Sequence, residues 1–455
     1  MTSLRLPRQV SRRLGWGVAD QAVSSLTNFA VTLYMARVLG ATQFGAFSLA
    51  YVTYSFVLNA SRGLATDPLM VRLSGAELPA WRRAVARCTG TATVVGLVAG
   101  ACVLVAAALL SGATREGFLA LGLTLPGLML QDSWRFSFFA LGRGSQAFLN
   151  DTIWAVSMLP ALYLLHATGH GTVFWFVFAW GAAAGVGAVC GPLQARVMPR
   201  LTQAWGWMMS HRDLGPRYLA ENTANSGASQ LRLYSVGFIL GLAAVGYVQA
   251  ASTLMGPFLV VFMGMSLVIV PEAVRVLQRA PHRLRHFSLL VSGGLTVAGL
   301  LWGVVLLVAL PRGLGELALG KIWRPAYPLV LPLTISVAGG CASAGATAGL
   351  HALGAARRSL RAMVIGSAAY LTCGVAGALL DGALGTVIGV AVATWLGACA
   401  WWWQLHAGLR DARTGRPPAA LPPPSQPAQV HRPVGRHHRS TGPPGWPEPG
   451  DRESA

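Results

Sequence analysis

The feature that most constrains this chain is a series of long apolar runs separated by short, arginine-bearing connections. Examples are TVVGLVAGACVLVAAALL ending at Leu110, SLLVSGGLTVAGLLWGVVLLVAL ending at Leu310 and VIGVAVATWLGACAWWWQL ending at Leu405. Each approaches or exceeds the ~20 apolar residues a helix needs to cross ~30 Å of hydrocarbon. Only 11% of the 455 residues are charged and 54% are hydrophobic, against roughly 25% charged in an ordinary soluble domain. A soluble fold of this length would need a charged skin over several cores, and the charge for one is missing. The chain is therefore expected to be an all-α integral membrane protein of about twelve spans. They fall near 14–36, 43–62, 86–110, 117–140, 148–167, 172–194, 218–241, 246–271, 287–310, 327–350, 359–380 and 385–406. The first run follows a basic segment but passes Asp20 and Asn28 with no small-residue cleavage site, so it reads as a retained span.

Basic residues orient the stack. There are 34 Arg and one Lys, and alternate connections counted from the N-terminus hold 24 of these 35. Arg37, Arg115, Arg312, Lys321 and Arg324 make up the opposite set. Such a bias places both termini and every second loop in the cytoplasm. The net charge of +20 then reflects topology and contact with anionic lipids. A nucleic-acid partner would want one basic folded domain, and none is present.

Metal and redox chemistry find little support. The six cysteines stand singly, with no CxxC pair, and suit packing better than disulfides or clusters. His166/His170 and His282/His286 are spaced for one helix face but lack acidic neighbours. No metal site and no cofactor is expected beyond a possible coupling H+ or Na+. From about Asp411 the composition turns proline-rich, with eleven prolines in 45 residues, which reads as a disordered cytoplasmic tail.

An internal repeat carries more information. At an offset of 201 residues, Val38-Leu39-Gly40 and Gly45 align with Ile239-Leu240-Gly241 and Gly246. Upstream, Asp20, Ser24, Ser25 and Asn28 meet Glu221, Asn225, Ser226 and Ser229; downstream, after a two-residue slip, Pro68-x-x-Val71-Arg72 meets Pro271-x-x-Val274-Arg275. Six spans separate the copies. An even number preserves direction, so the halves are parallel repeats about an axis along the membrane normal. The expected organisation is a basic N-terminus (1–13), a six-helix lobe (14–200), a linker (201–217), a second six-helix lobe (218–406) and a tail (407–455) around a central cavity.

The repeat puts a polar stripe on the first span of each half. Asp20, Ser24, Thr27 and Asn28 share about 100° of arc, and Glu221, Asn225, Ser229 and Arg232 about 80°. Ionisable groups in hydrocarbon are expensive, so these faces are expected to line a water-filled cavity, with interhelical hydrogen bonding as the bland alternative. Asp132 and Arg135, three apart on the fourth span, share a face and are candidates to neutralise one another. Asp151 reads as a cap of the fifth helix and Asp381 as a loop residue.

The stretch from Ala19 to Gly75, with ARVLGATQFGAFSLA at its centre, resembles the opening of bacterial polysaccharide transporters. These are the Wzx-type oligosaccharide flippases of the multidrug/oligosaccharidyl-lipid/polysaccharide superfamily. LQDSWRFSFFALGRGSQAFLNDTIW and LALGKIWRPAYPLVLPL are similar to that family as well, and the resemblance runs over roughly residues 14–406. It implies two six-helix lobes that move lipid-linked oligosaccharide by alternating access, with glycan polymerases or glycosyltransferases as possible partners. In that reading Arg232 and Arg135 hold the diphosphate bidentately. Asn28, Asn225, Ser24 and Ser229 bond sugar hydroxyls, and Asp20, Glu221 and Asp132 are candidates for ion coupling. An ion-coupled exporter of small cationic molecules is the second reading. A polyprenyl-dependent glycosyltransferase or polymerase is a third, set back by an external loop (311–326) whose one acid is Glu316 and by the absence of any G-x4-G-K-[ST] phosphate loop. A structural scaffold is a fourth.

Overall fold

A computed structural model describes residues 8–413. Every regular element among them is helical. In the first half these are α1 (Arg8–Ser61), a π-helical turn (Arg62–Thr66), α2 (Asp67–Leu73), α3 (Leu78–Leu109), α4 (Gly112–Ala140), α5 (Gly144–Ala167) and α6 (Val173–Ala195). A short α7 (Ala204–Ser210) leads into α8 (Gly215–Leu240), α9 (Leu242–Leu254), α10 (Gly256–Arg279), α11 (Leu284–Ala309), α12 (Leu314–Leu319), α13 (Trp323–Ala352) and α14 (Ala356–Arg413).

By length and apolarity, eight helical stretches among the described residues qualify as membrane spans. Two of them reverse and so cross twice: α1 turns at Gly40, and α14 at Asp381 and Gly382. The more polar α4 and α8 complete the dozen, with α9 and α10 together forming one crossing. The protein is an all-α membrane protein of twelve transmembrane helices in two six-helix lobes. Asp381 lies at the tight reversal, as a loop residue would. The second crossing does not stop at residue 62: it runs through the π-turn to Leu73.

The repeated motif has a direct structural meaning. Gly40 (φ 73, ψ 168) and Gly241 (φ 82, ψ 175) adopt the same backbone conformation, one essentially reserved for glycine. Each turns the chain from the first crossing of its lobe into the second. Five residues on, the partner glycines meet across the lobe boundary. A Cβ on Gly45 would sit 1.9 Å from the Leu242 carbonyl oxygen, and one on Gly246 would sit 2.2 Å from the Ala41 carbonyl oxygen. Ala41 and Leu242 are themselves equivalent under the 201-residue offset, so the contact is reciprocal about the pseudo-twofold axis.

Packing divides the molecule along its length. At the end away from the N-terminus one core runs through both lobes, from Phe44, Phe47 and Trp180 to Val236, Val245 and Leu329. At the N-terminal end the cores separate: one around Trp81, Trp134, Phe138 and Trp207, and others around Ile269, Ala273 and Leu284 and around Leu350 and Leu405. With no hydrophobic driving force between helices in lipid, close approach and polar contacts must supply adhesion. Indole N–H groups do so repeatedly. Trp81, Trp134 and Trp154 donate to the Ser137, Ala188 and Trp180 carbonyls at 2.9, 3.1 and 3.1 Å. Trp395 and Trp402, two turns apart on α14, donate to Ile335 and Ala342 on α13 at 3.1 and 2.8 Å.

Candidate functional site

Among the described residues, polar groups gather within the spans of each lobe. In the first lobe α1, α4 and α5 bring together the buried Asp20 and Asp151 and the partly buried Arg135. The Arg135 Nη2 lies 2.6 Å from Asp20 Oδ2, and its Nε lies 2.7 Å from the same oxygen and 3.3 Å from Asp151 Oδ2. Asp151 also accepts from Gln131 Nε2 at 2.9 Å, and Gln131 reaches Asn150, which donates to the Gly187 carbonyl and to Gln194 on α6. Burying charge in hydrocarbon demands this density of partners.

Asp132 does not pair with Arg135. Residues three apart on a helix share a face, but the Asp132 carboxylate turns to the π-turn instead, where Arg62 grips it bidentately through Nε (3.0 Å) and Nη2 (2.7 Å). Arg62 also lies over the Phe136 ring at 4.8 Å. The planar fork of a guanidinium matches a carboxylate better than the short reach available along one helix. Nor does Asp151 cap α5. It stands seven residues beyond the first helical residue, Gly144, facing α4. Two guanidiniums thus meet three carboxylates, leaving the cluster one positive charge short. Asp20 Oδ1 is its buried oxygen without a hydrogen-bond partner.

Ser24, Thr27 and Asn28 continue along α1 beside Asp151, Trp154 and Met158 of α5. The first-lobe stripe therefore faces its own lobe's fifth helix and encloses almost no open volume there.

The second-lobe stripe borders open space. A cavity of about 300 Å³ is walled by Ser229, Gln230, Arg232, Gln249, Ser252, Ser336, Tyr370 and apolar groups, with Val52 contributed by the first lobe. Beside it a Thr53–Tyr234 hydroxyl hydrogen bond ties the lobes together. Arg232 is 9% exposed, and no carboxylate among the described residues lies within salt-bridge distance. Its Nε has no hydrogen-bond partner, and its guanidinium carbon stands 5.3 Å from the Tyr370 ring centre. One turn beyond Tyr370, Gly374 makes room for the side chain: a Cβ there would sit 2.7 Å from Arg232 Cδ.

The remaining expected residues separate. Glu221 is exposed on α8, so it does not share the buried setting of its repeat partner Asp20. Asn225 is on the same helix, and its side chain lies outside the described residues. Near these, Asn222 donates to Asp67 at 2.9 Å and to the Asn59 carbonyl, joining α8 to the first lobe. Arg135, with two carboxylates on it, is no longer available to a phosphate. Arg62 and Asp151 belong to this cluster of ion pairs, a place that sequence reasoning gave to neither. The signal for both was present in principle, since an ionisable residue at membrane depth calls for a named partner. Among the described residues no group of three or more His, Cys, Asp or Glu converges as a metal site would, and all six cysteines are free thiols.

No protein-family model matches this sequence, and no curated protein matches it either. Solved structures do match. An inward-facing multidrug resistance MATE-family transporter of the MOP superfamily superposes with a TM-score of 0.64 at 13% identity, over 86% of this chain and 96% of that one. Lipid II flippase MurJ, in an inward closed conformation, gives 0.65 at 10% identity over 89% and 90%. A MOP superfamily transporter from Pyrococcus furiosus gives 0.53 at 12% over 89% and 96%. The fold is that of MOP superfamily transporters. At such identities the likeness concerns the path of the backbone, and side-chain chemistry has to be read from this chain's own residues.

Proposed function

We propose that this chain is a secondary-active flippase of the bacterial cytoplasmic membrane, moving a lipid-linked oligosaccharide by alternating access between its two lobes. The observation that carries the reading is Arg232. A buried guanidinium with no carboxylate beside it is costly in a membrane. An anionic group entering the cavity relieves that cost, and a diphosphate matches the planar fork. Gln230, Gln249, Ser252 and Ser336 around it offer donors and acceptors for sugar hydroxyls. The fold is shared with a structure named as a lipid flippase, which supports transport of this kind without specifying the cargo.

The first-lobe cluster supplies the coupling. One positive charge short, with a partnerless Asp20 oxygen, it is suited to take up a proton or sodium ion when open to one side. The same cluster favours a second reading, an ion-coupled exporter of small cationic molecules, whose fold is equally shared with multidrug transporters.

The test is substitution at Arg232. Arg232→Ala and Arg232→Lys are both expected to reduce surface or secreted polysaccharide and to accumulate its lipid-linked precursor on the cytoplasmic side. Lysine fails because a point charge does not reproduce bidentate contact. Full export by a well-expressed Arg232→Ala protein removes Arg232 from the site. Unchanged cell-envelope glycans on deleting the whole gene would move the assignment to the small-molecule exporter.

A further inference from the structure

The connection between the lobes carries an exposed surface away from the two polar clusters. Met198, Leu201, Trp205 and Met209 are 74%, 42%, 68% and 44% exposed. Trp205 and Met209, four apart, share one side of α7, while Leu201 lies in the 3-10 turn before it and Met198 in the irregular stretch before that. The other side is fixed to α3. Ala204 and Trp207 are buried there, the Arg200 N–H donates to the Ala86 carbonyl at 2.7 Å, and Arg87 Nε donates to Gln203 at 2.9 Å. Gly90 lets the segment lie down, since a Cβ on it would stand 2.3 Å from the Arg200 carbonyl oxygen. The apolar stripe is thus held outward by a rigid mount.

Two further observations say what covers it. Arg200 bonds to Ala86, near which the third span is expected to begin, so the segment packs beside the end of a crossing helix. Arg196, Arg200 and Arg212 are all exposed, and no Asp or Glu occurs between residues 196 and 212. The next acid, Asp213, is already bonded to Arg72 at 2.5 Å. Aromatic and thioether groups flanked by unopposed arginines at the membrane boundary are the chemistry of an interfacial anchor.

We propose that residues 196–212 form a membrane-surface anchor that binds anionic phospholipid headgroups, with Met198, Leu201, Trp205 and Met209 seated at the headgroup–acyl boundary and Arg196, Arg200 and Arg212 on the phosphates. The anchor is independent of what the chain transports. It holds the first lobe's side of the inter-lobe connection against the leaflet, while α8 and the second lobe begin beyond it at Gly215.

The test uses the full chain in a cysteine-free background, with Trp205→Cys, Met209→Cys or Gly206→Cys labelled by an environment-sensitive nitrobenzoxadiazole probe. The labelled protein is reconstituted into phosphatidylcholine vesicles with or without phosphatidylglycerol, both containing a doxyl-lipid quencher. Gly206 is exposed and lies ~100° round the helix from Trp205, so it reports the same segment off the stripe. Quenching at 205 and 209 is expected to be at least about twice that at 206 with phosphatidylglycerol, because such faces sit ~5–10 Å into the boundary region. Omitting phosphatidylglycerol, or combining Arg196→Gln, Arg200→Gln and Arg212→Gln, is expected to bring the stripe positions toward the value at 206. Equal quenching at 205 and 206 overturns the anchor. Blue-shifted emission at 205 without lipid quenching does so too, by showing that protein covers the stripe. Quenching indifferent to phosphatidylglycerol and to the arginines overturns headgroup binding.

Discussion

At the residue scale, the two lobes handle charge in opposite ways. The first lobe buries Asp20, Asp132 and Asp151 and meets them with Arg62 and Arg135; the second buries Arg232 against an aromatic ring beside a cavity. The paired groups are the ones whose loss should harm folding. Arg62→Met leaves the buried Asp132 carboxylate without its bidentate partner, and an uncompensated buried charge costs about 3–5 kcal/mol. The substituted protein, purified in detergent, is expected to melt well below wild type, with Asp132→Asn in the same chain restoring much of the loss. A double variant no more stable than Arg62→Met alone would show that the pair is not what holds the π-turn to α4. Asp20→Asn is a different experiment. The amide keeps an acceptor for Arg135 while losing the charge, so expression is expected to persist and dependence of transport on the ion gradient to vanish. Gradient dependence at the wild-type level would take Asp20 out of coupling.

At the element scale, the glycine repeat is both a hinge and a seal. Gly40 and Gly241 supply a backbone conformation, while Gly45 and Gly246 supply proximity, and the two needs explain why the motif has glycine at both ends. Side chains at Gly45 or Gly246 would strike backbone carbonyls, which cannot swing aside as a side-chain end can. Gly45→Val is therefore expected to part the lobes at the end away from the N-terminus. Val248, 1% exposed in the shared core of that end, provides the reporter. In a cysteine-free background, Val248→Cys should resist an impermeant maleimide in intact cells and become labelled once Gly45→Val is added. Continued protection would mean that the seal rests on the surrounding Phe44, Phe47 and Leu329 packing instead.

At the scale of the whole molecule, one shared core at one end and separate cores at the other describe two lobes joined like a clothes-peg at the end away from the N-terminus. The arginine bias predicts which compartment each end faces. Gly169, Ser210, Glu316 and Arg357 are all exposed and lie in connections between crossings. Single cysteines at 169 and 316 should label with an impermeant maleimide from outside, and those at 210 and 357 only after permeabilisation. External labelling at 210 would reverse the orientation or change the number of crossings in the first half.

What the sequence determined by itself follows from quantities local to the chain. Apolar run length sets the number of helices that cross hydrocarbon, and the glycine repeat, read at a fixed offset, sets the twofold relation of the lobes. The crossings α4 and α8, which do not stand out by apolarity, carry Asp132, Arg135 and Arg232, whereas Asp20 and Asp151 lie on α1 and α5, which stay apolar enough to qualify as spans. Tertiary structure alone decided the partners. Asp132 and Arg135 look paired at a spacing of three, yet a guanidinium takes the carboxylate that its fork can reach in plane. That choice depends on where α1, the π-turn and α5 stand around α4. Equivalence under the repeat likewise fixed Asp20 and Glu221 at matching heights, while only packing buried one and exposed the other. Sequence distance carries no information about which side chains from different helices converge, and at membrane depth that convergence determines where charge is tolerable.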